Sequence, residues 1–421
     1  MAKRIVFCLS LLLALGVCAQ EWYRGNLHMH TYWSDGKAFP EEAAEYYRSR
    51  GYHFICLSDH NVMQLSDKHW QEVGGKKVTA EAAEKYLHAY GDTAEKKTED
   101  GKEHVRVKTL GEMKKQFDKA GEFLIVPCFE QTGKCGEFQV HMNVFNVKGI
   151  YPYQKGETIA ETVGANARVA AEQGKDTLFM LNHPFWPYFD IQPEVLISLP
   201  EVRFYELSNG GNSYPAAHPG WYSLEKYWDI VNAFRIKAGH PALYGTATDD
   251  THDYSKPERV TTLKGWVSVR APSLACDALV QAMHRGDFYA STGITFRDVR
   301  FDEATGTLSV EAEPKPGVDY EITFTVTRAG FDTATEVFDD PATDKKPARK
   351  GLKYSGDIGI TAKKVSGTSA SYKMQPDDLY VRATVTSPAK MAKPALCGPF
   401  VETAWTQPYG WQQWQTRQKR N

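Results

Sequence analysis

Residues 26–36 read NLHMHTYWSDG, and this short stretch decides how the rest of the chain is read. His28 and His30 stand two apart on an extended segment, so both imidazoles point to one face, as strand periodicity requires. Asp35 follows in a turn. A lone histidine has an ordinary structural explanation. Two on one face of a strand end, with an acid close behind, have the composition of a metal site.

Working outward, further apolar runs each carry a polar residue at one end. HFICLSDH (53–60) ends in Asp59 and His60, FLIVPCFE (123–130) in Glu130, and HMNVFNV (141–147) opens with His141. TLFMLNHP (177–184) places His183 just past its apolar core, and VRFYELSN (202–209) ends in Asn209. ALYGTATDD (242–250) ends in Asp249 and Asp250, with His252 two residues beyond. Helical patterns intervene at Pro40 to Ser49, Thr158 to Gln173 and Leu274 to Arg285, the first opened by a proline and two glutamates. Such alternation predicts a barrel-like α/β domain with a mostly parallel sheet, whose strand carboxyl ends build the site.

Each of these signals is weak alone. Together they predict six histidines and three carboxylates on one rim: His28, His30, Asp35, His60, Glu130, His141, His183, Asp250 and His252. Packing gives no reason for that gathering. Nine such donors suit two or three divalent cations (Zn, Mn or Fe), because these ions take imidazole and carboxylate and a carboxylate can bridge a pair. Asp249 is the alternative to Asp250, and the spacing to His252 favours Asp250.

With this ordered motif set, the chain resembles the polymerase and histidinol phosphatase (PHP) superfamily of metal-dependent phosphoesterases from about Asn26 to Gly293. The resemblance implies a distorted (β/α)7 barrel. It also implies that His28, His30, Glu130 and Asp250 hold a first metal, that Glu130 bridges to a second completed by His141 and His183, and that Asp35, His60 and His252 hold a third. Glu130 and Asp250 are then the catalytic carboxylates. The expected reaction is hydrolysis of a small phosphomonoester or phosphodiester by a metal-bridging hydroxide, with no nucleophilic Ser or Cys; neither a G-x-S-x-G segment nor a P-loop occurs. Hydrolysis of an amide or cyclic ester at a related metal site is the first rival. A non-enzymatic binding role for the carboxyl-terminal region is the second. Lys134, Arg203, Asn209 and His218 are the candidate contacts to a phosphorylated substrate, while His53, His69, His88, His104, His240 and His284 fall outside the motifs and read as structural or surface residues.

The remaining sequence sets the frame. The chain has 421 residues, 42% hydrophobic and 24% charged, enough for a folded domain of residues 20–295 and a smaller one of 296–421. A polar segment rich in Lys and Glu, about 62–123, reads as an insertion with one or two surface helices, either a solvated decoration or a lid. After Thr295 the runs TLSVEAEP, YEITFTVTR and LYVRATVTS predict a small all-β sandwich, with the aromatic tail ETAWTQPYGW packed back against a domain surface. Lys3 and Arg4, an apolar run and small residues ending at Ala19 form a signal-peptide layout over 1–19, which implies export to the periplasm or beyond. Acylation of Cys18 as a lipoprotein is the alternative, weakened by the Val17 before it. No later run approaches the ~20 apolar residues of a spanning helix. A net charge of −2 provides no broad field for gripping nucleic acid. Five cysteines outside the leader cannot all pair, and no disulfide framework is expected.

Overall fold

The computed structural model describes residues 20–185, 191–211, 222–255, 262–342, 347–390 and 401–420. The leader at 1–19, His218 and Cys397 lie outside the described residues. Four cysteines, Cys56, Cys128, Cys135 and Cys276, are free thiols. No helix among the described residues is long and apolar enough to cross a membrane.

The strands expected around the site form, and they make a curved wall of mixed direction. Strand Glu21–Asn26 pairs in parallel with Phe54–Cys56, which pairs in parallel with Leu124–Val126. An isolated parallel bridge, His60 to Glu130, hands the wall on to a five-stranded sheet: Cys128–Cys135, Phe138–Phe145, Leu178–Leu181, Phe204–Asn209 and Tyr244–Thr248. A second bridge, Met29 to Thr251, returns to the residues after the first strand. The wall therefore closes through single-residue seams.

This departs from a uniform strand–helix repeat. Glu130 does not end its strand, and TGKCGE is no loop: Cys128–Cys135 and Phe138–Phe145 are an antiparallel hairpin in register from Cys128 opposite Phe145 to Cys135 opposite Phe138. Gly136, at φ +58, supplies the left-handed residue of the turn. Phe138–Phe145 also runs antiparallel to Leu178–Leu181, so the last parallel pairs are Leu178–Leu181 with Phe204–Asn209 and Phe204–Asn209 with Tyr244–Thr248.

The helices follow the sequence closely. Pro40 opens Pro40–Arg48, where a missing N–H costs nothing, and Glu42 accepts from the Phe39 N–H at 3.0 Å. Thr158 and Glu161 form a capping box on Ile159–Glu172. Gly286, at φ +82, ends Cys276–Arg285.

The insertion carries two helices, Ala80–Tyr90 and Leu110–Phe117, and also a three-stranded antiparallel sheet of Trp70–Glu72, Lys102–Arg106 and Lys96–Glu99 that its polar composition hid. It buttresses the amino-terminal segment. Lys108 Nζ and Tyr86 OH reach buried Glu41 Oε1 at 3.2 and 2.7 Å, and Trp33 Nε1 donates to Lys108 O at 2.9 Å.

The carboxyl-terminal strands do not form a separate body. From Glu21–Asn26 the sheet continues antiparallel through Trp266–Ala271, Phe288–Ser291, Val401–Thr406, Asp378–Lys390, Glu321–Arg328 and Ile360–Ser366, giving nine strands in one sheet. A three-stranded sheet, Phe296–Asp302, Thr307–Ala312 and Ser369–Lys373, covers the far part of it. Leu308, Val310 and Phe296 face Ile322, Phe324 and Val326, which alternate inward along their strand. Each such fully buried side chain contributes about 1.5–3 kcal/mol.

The tail, expected only to pack back, forms a helix at Trp411–Gln418 whose Trp411 and Trp414 join a core with Ile236 and Tyr244. At the seam Arg382 binds Asp229 of helix Leu224–Lys237 through Nε at 2.8 Å and Nη2 at 2.6 Å, Tyr380 OH adds a bond at 2.7 Å, and Glu225 holds Arg382 Nη1 at 2.8 Å.

Candidate metal centre

The ladder between residues 28–30 and 250–251 assembles the heart of the site. Asp250 N donates to His28 O and His30 N to Thr251 O, both at 2.9 Å. Met29, the alternate residue, turns into the core, which leaves His28 and His30 side by side with Asp250. His28 Nε2 and His30 Nε2 lie 3.3 and 3.1 Å from Asp250 Oδ1.

Glu130 stands at the centre, fully buried. His28 Nε2 lies 3.4 Å from its Oε1, His141 Nδ1 3.2 Å and His183 Nε2 3.6 Å, while His60 Nδ1 is 2.5 Å from Oε2. Asp35 Oδ1 completes the outer end, 3.5 Å from His252 Nε2, 3.6 Å from His60 Nε2 and 3.9 Å from His30 Nδ1. All nine residues named from the sequence thus come together. Asp35, His60, His141, His183, Asp250 and His252, with Gly211, line a cavity of about 280 Å³, and none of these lining residues comes from the insertion.

Tight groups of donor atoms form at His30, Asp35, His60 and His252, at His28, His30 and Asp250, and at His60, Glu130 and His141. These groups overlap one another and the three ligand sets that the resemblance implies. His30 and His60 each belong to two groups, and His183 reaches the cluster through Glu130.

The loops are tied down by acids that are not themselves donors. Asp59 accepts from Thr31 N and Oγ1 and from Ser34 N and Oγ, at 2.7–3.0 Å, and so fixes the loop carrying Asp35. Burial outweighs those bonds and pushes its carboxyl up to about 6. Asp249 is spent in the same way: Tyr47 OH and the Leu263, Lys264 and Gly265 amides, at 2.6–2.9 Å, occupy both its oxygens. Asp250 alone of the two faces the rim. Gly36 lets the Asp35 turn close, since a Cβ there would lie 2.4 Å from the His30 carbonyl. Three non-glycine residues of the rim adopt positive φ, Asn61 (52°), His183 (23°) and Asp250 (49°), the kind of local strain that gathers at functional sites.

Electrostatically the cluster asks for positive charge. Burial alone would raise the pKa of Glu130 and Asp250, yet the surrounding imidazoles, His28 foremost for both, hold both well below the usual carboxylate range. Burial would lower His28, and Asp250, Glu206 and Glu130 together raise it well above an ordinary histidine; His60 is pushed to about 9 against its own burial by Glu130 and Asp35. His30 goes the other way, to about 3, because burial and the facing His252 and His60 outweigh its carboxylate partners. Among the described residues, Nε2 of His28 and Nδ1 of His30 are buried without a hydrogen bond. Imidazole nitrogens left open beside ionised carboxylates fit divalent cations of the Zn, Mn or Fe type.

The substrate candidates fare unevenly. Arg203 precedes strand Phe204–Asn209 and so lies at the end opposite the rim, where its Nε donates to Ala242 O and its guanidinium covers Tyr244; it is not a site residue. The sequence marks the strand but not which of its ends meets the rim. Asn209 is buried, its Nδ2 donating to Glu206 at 2.8 Å and Asp250 at 3.2 Å and its Oδ1 accepting from Gly211 N, so it orients a donor residue rather than facing solvent. Lys134 is exposed near the hairpin tip. His53, His69, His104 and His284 meet backbone groups elsewhere, His240 is exposed, and His88 lies on an insertion helix.

Three supporting residues escaped the sequence reading. Asn182 Nδ2 donates to Glu130 Oε1 at 2.8 Å, Thr132 Oγ1 lies 2.6 Å from His60 Nδ1, and Glu206 Oε1 lies 2.7 Å from His28 Nδ1. Only Glu206 left a signal, as a single acid inside the apolar strand FYELSN, where a charge is costly without partners.

Fold and site define an α/β protein with a histidine–carboxylate cluster on the rim of its strand wall. No protein-family model matches the sequence, and no curated protein matches it. Its structural neighbours include a two-domain protein from Bacteroides vulgatus containing a predicted PHP-like metal-dependent phosphoesterase, 13% identical, aligned over 92% of this chain and 95% of that one at a TM-score of 0.40. A candidate metal-dependent phosphoesterase from Bifidobacterium adolescentis is 14% identical over 55% of this chain and 89% of its own, at 0.28. An amidohydrolase from Chromobacterium violaceum, with bound sulfate and no metal, is 13% identical over 56% and 89%, also at 0.28. Likenesses this loose transfer no activity, and the reading of the site rests on its own geometry.

Proposed function

We propose that this chain is an exported metal-dependent hydrolase of the PHP type, cleaving a small phosphomonoester or phosphodiester. The observation that carries the reading is the convergence of nine donors around Glu130, with buried nitrogens of His28 and His30 that form no hydrogen bond among the described residues. His28, His30, Glu130 and Asp250 hold one cation, Glu130, His141 and His183 a second, and Asp35, His60 and His252 a third. Cations bound there supply Lewis acidity toward phosphoryl oxygens and bring the pKa of water to about 7.

The chain's own residues do the rest. Glu130, buried and kept ionised by its histidines, sets Oε1 near His28, His141 and His183 and Oε2 near His60 and His30. Asp35 and His252 are the more exposed members, at 57% and 37%, and face the incoming ester at the cavity mouth. Buried His28 and His30 close the floor against bulk water. Lys134 is kept as a candidate contact to the substrate's charged group. Residues 1–19 direct export, residues 20–295 carry all nine donors, and residues 296–421 extend the sheet that begins at Glu21–Asn26.

Assay of aryl phosphomonoesters and phosphodiesters, after reconstitution with Mn, Fe or Zn, tests the proposal. Metal-dependent turnover of a phosphate ester supports it; turnover confined to amides or lactones, or none with any of the metals, overturns it.

A further inference from the structure

Glu206 is fully buried in strand Phe204–Asn209, yet it is not placed to hold a cation. Its Oε1 takes His28 Nδ1 and the Thr248 hydroxyl, both at 2.7 Å; its Oε2 takes the His183 amide at 2.7 Å and Asn209 Nδ2 at 2.8 Å. A carboxylate has about four lone-pair directions, and four donors fill them. What remains is its effect on the two histidines.

A neutral imidazole that donates from Nδ1 keeps its lone pair on Nε2. In His28 that nitrogen is the buried one without a hydrogen bond, set between Asp250 and Glu130. His183, at φ +23, has a strained backbone, and the same carboxylate holds its N–H. The two histidines enter from different strands, one beside Asp250 and one beside Glu130, and their rings stack 5.9 Å apart.

We infer that Glu206 is a positioning residue that fixes His28 as the Nδ1-protonated tautomer and holds strained His183 in place, coupling two donors that both approach Glu130 Oε1. The inference rests on the reading of the cluster as a metal centre. Glutamine cannot replace it, because an amide accepts at one oxygen only and would turn its NH₂ toward two of the four donors.

The test is Zn and Mn binding by calorimetric titration on the full chain, wild type against Glu206→Gln, with circular dichroism of both metal-free proteins to verify folding. Glu206→Gln is expected to lower cation affinity about 10- to 100-fold. In parallel, ¹⁵N-histidine NMR of Zn-loaded wild type should find His28 protonated at Nδ1, a signature that a purely structural role would not require and that decides the matter if the variant does not fold. Equal affinity in the folded variant, or His28 protonated at Nε2, overturns the role of Glu206 while leaving the metal centre intact. Wild type that takes up no cation would instead overturn the metal reading itself, and this inference with it.

Discussion

Two clusters of buried charge sit in this molecule, and they are built in opposite ways. At the seam, Asp229 meets Arg382 in a two-point pair, with Tyr380 and Glu225 completing the hydrogen bonds. There the chain's own guanidinium faces both carboxylates. On the rim, Glu130 and Asp250 lie among the imidazoles of His28, His30, His60, His141, His183 and His252, with Asn182 and Asn209 donating to them, and Asp35 faces His30, His60 and His252. A guanidinium cannot ligate a cation, so the first cluster closes on itself, whereas imidazoles gathered beside carboxylates are the donor set of a metal site. The same residue chemistry gives a rivet in one place and a receptacle in the other.

Breaking each cluster should therefore give different phenotypes. His30→Ala removes a donor shared by two groups and is expected to lower kcat/KM for a phosphate ester by roughly 10³-fold or more, several kcal/mol of lost electrostatic stabilisation, with little change in the denaturation midpoint of the metal-free protein. Arg382→Ala should do the reverse: about 3 kcal/mol or more of stability lost in urea titration, because Asp229 is left charged and unpaired, with the metal content of the folded fraction unchanged. Loss of bound metal in folded Arg382→Ala would dissolve the contrast.

Two smaller changes sharpen it. Gly36→Ala adds a Cβ 2.4 Å from the His30 carbonyl, displacing the Asp35 turn without touching a donor atom, and is expected to cost about 10²-fold in activity. Glu112→Gln probes a pair outside both clusters, between buried Arg106 and a partly exposed carboxylate. Its bonds with Arg106 hold Glu112 down at about 2, below its unfolded value of 4.5, so its contribution is present above pH 4.5 and disappears as pH falls through 2. Melting curves between those limits should fall less steeply with acid in the variant than in wild type. This is the smallest effect, since the Glu112 carboxylate is screened by solvent and Arg106 keeps Glu95.

How much of this was legible beforehand follows from the length scale of each feature. Helices such as Pro40–Arg48 and Cys276–Arg285 announce themselves through local caps and periodicity. The nine donors were legible because strand ends repeat a local pattern, apolar run then ligand-type side chain. Pairing partners are not local: nothing in FLIVPCFE or TGKCGE states that one strand continues past Pro127 into a hairpin, or that Phe288–Ser291 pairs with Val401–Thr406. Arg203 and Asn209 bracket one strand, and only the fold shows that its two ends face opposite sides of the wall. Glu206 was visible as a lone acid in an apolar run, but its four donors come from four separate segments.

The central claim is that the rim completes itself with cations. Elemental analysis of the purified full chain, loaded with Mn, Fe or Zn and freed of excess metal, tests it most directly. The account predicts at least two equivalents of metal per chain, reduced in His30→Ala and unchanged in folded Arg382→Ala. One equivalent or none in the wild-type protein, under all three metals, would contradict it.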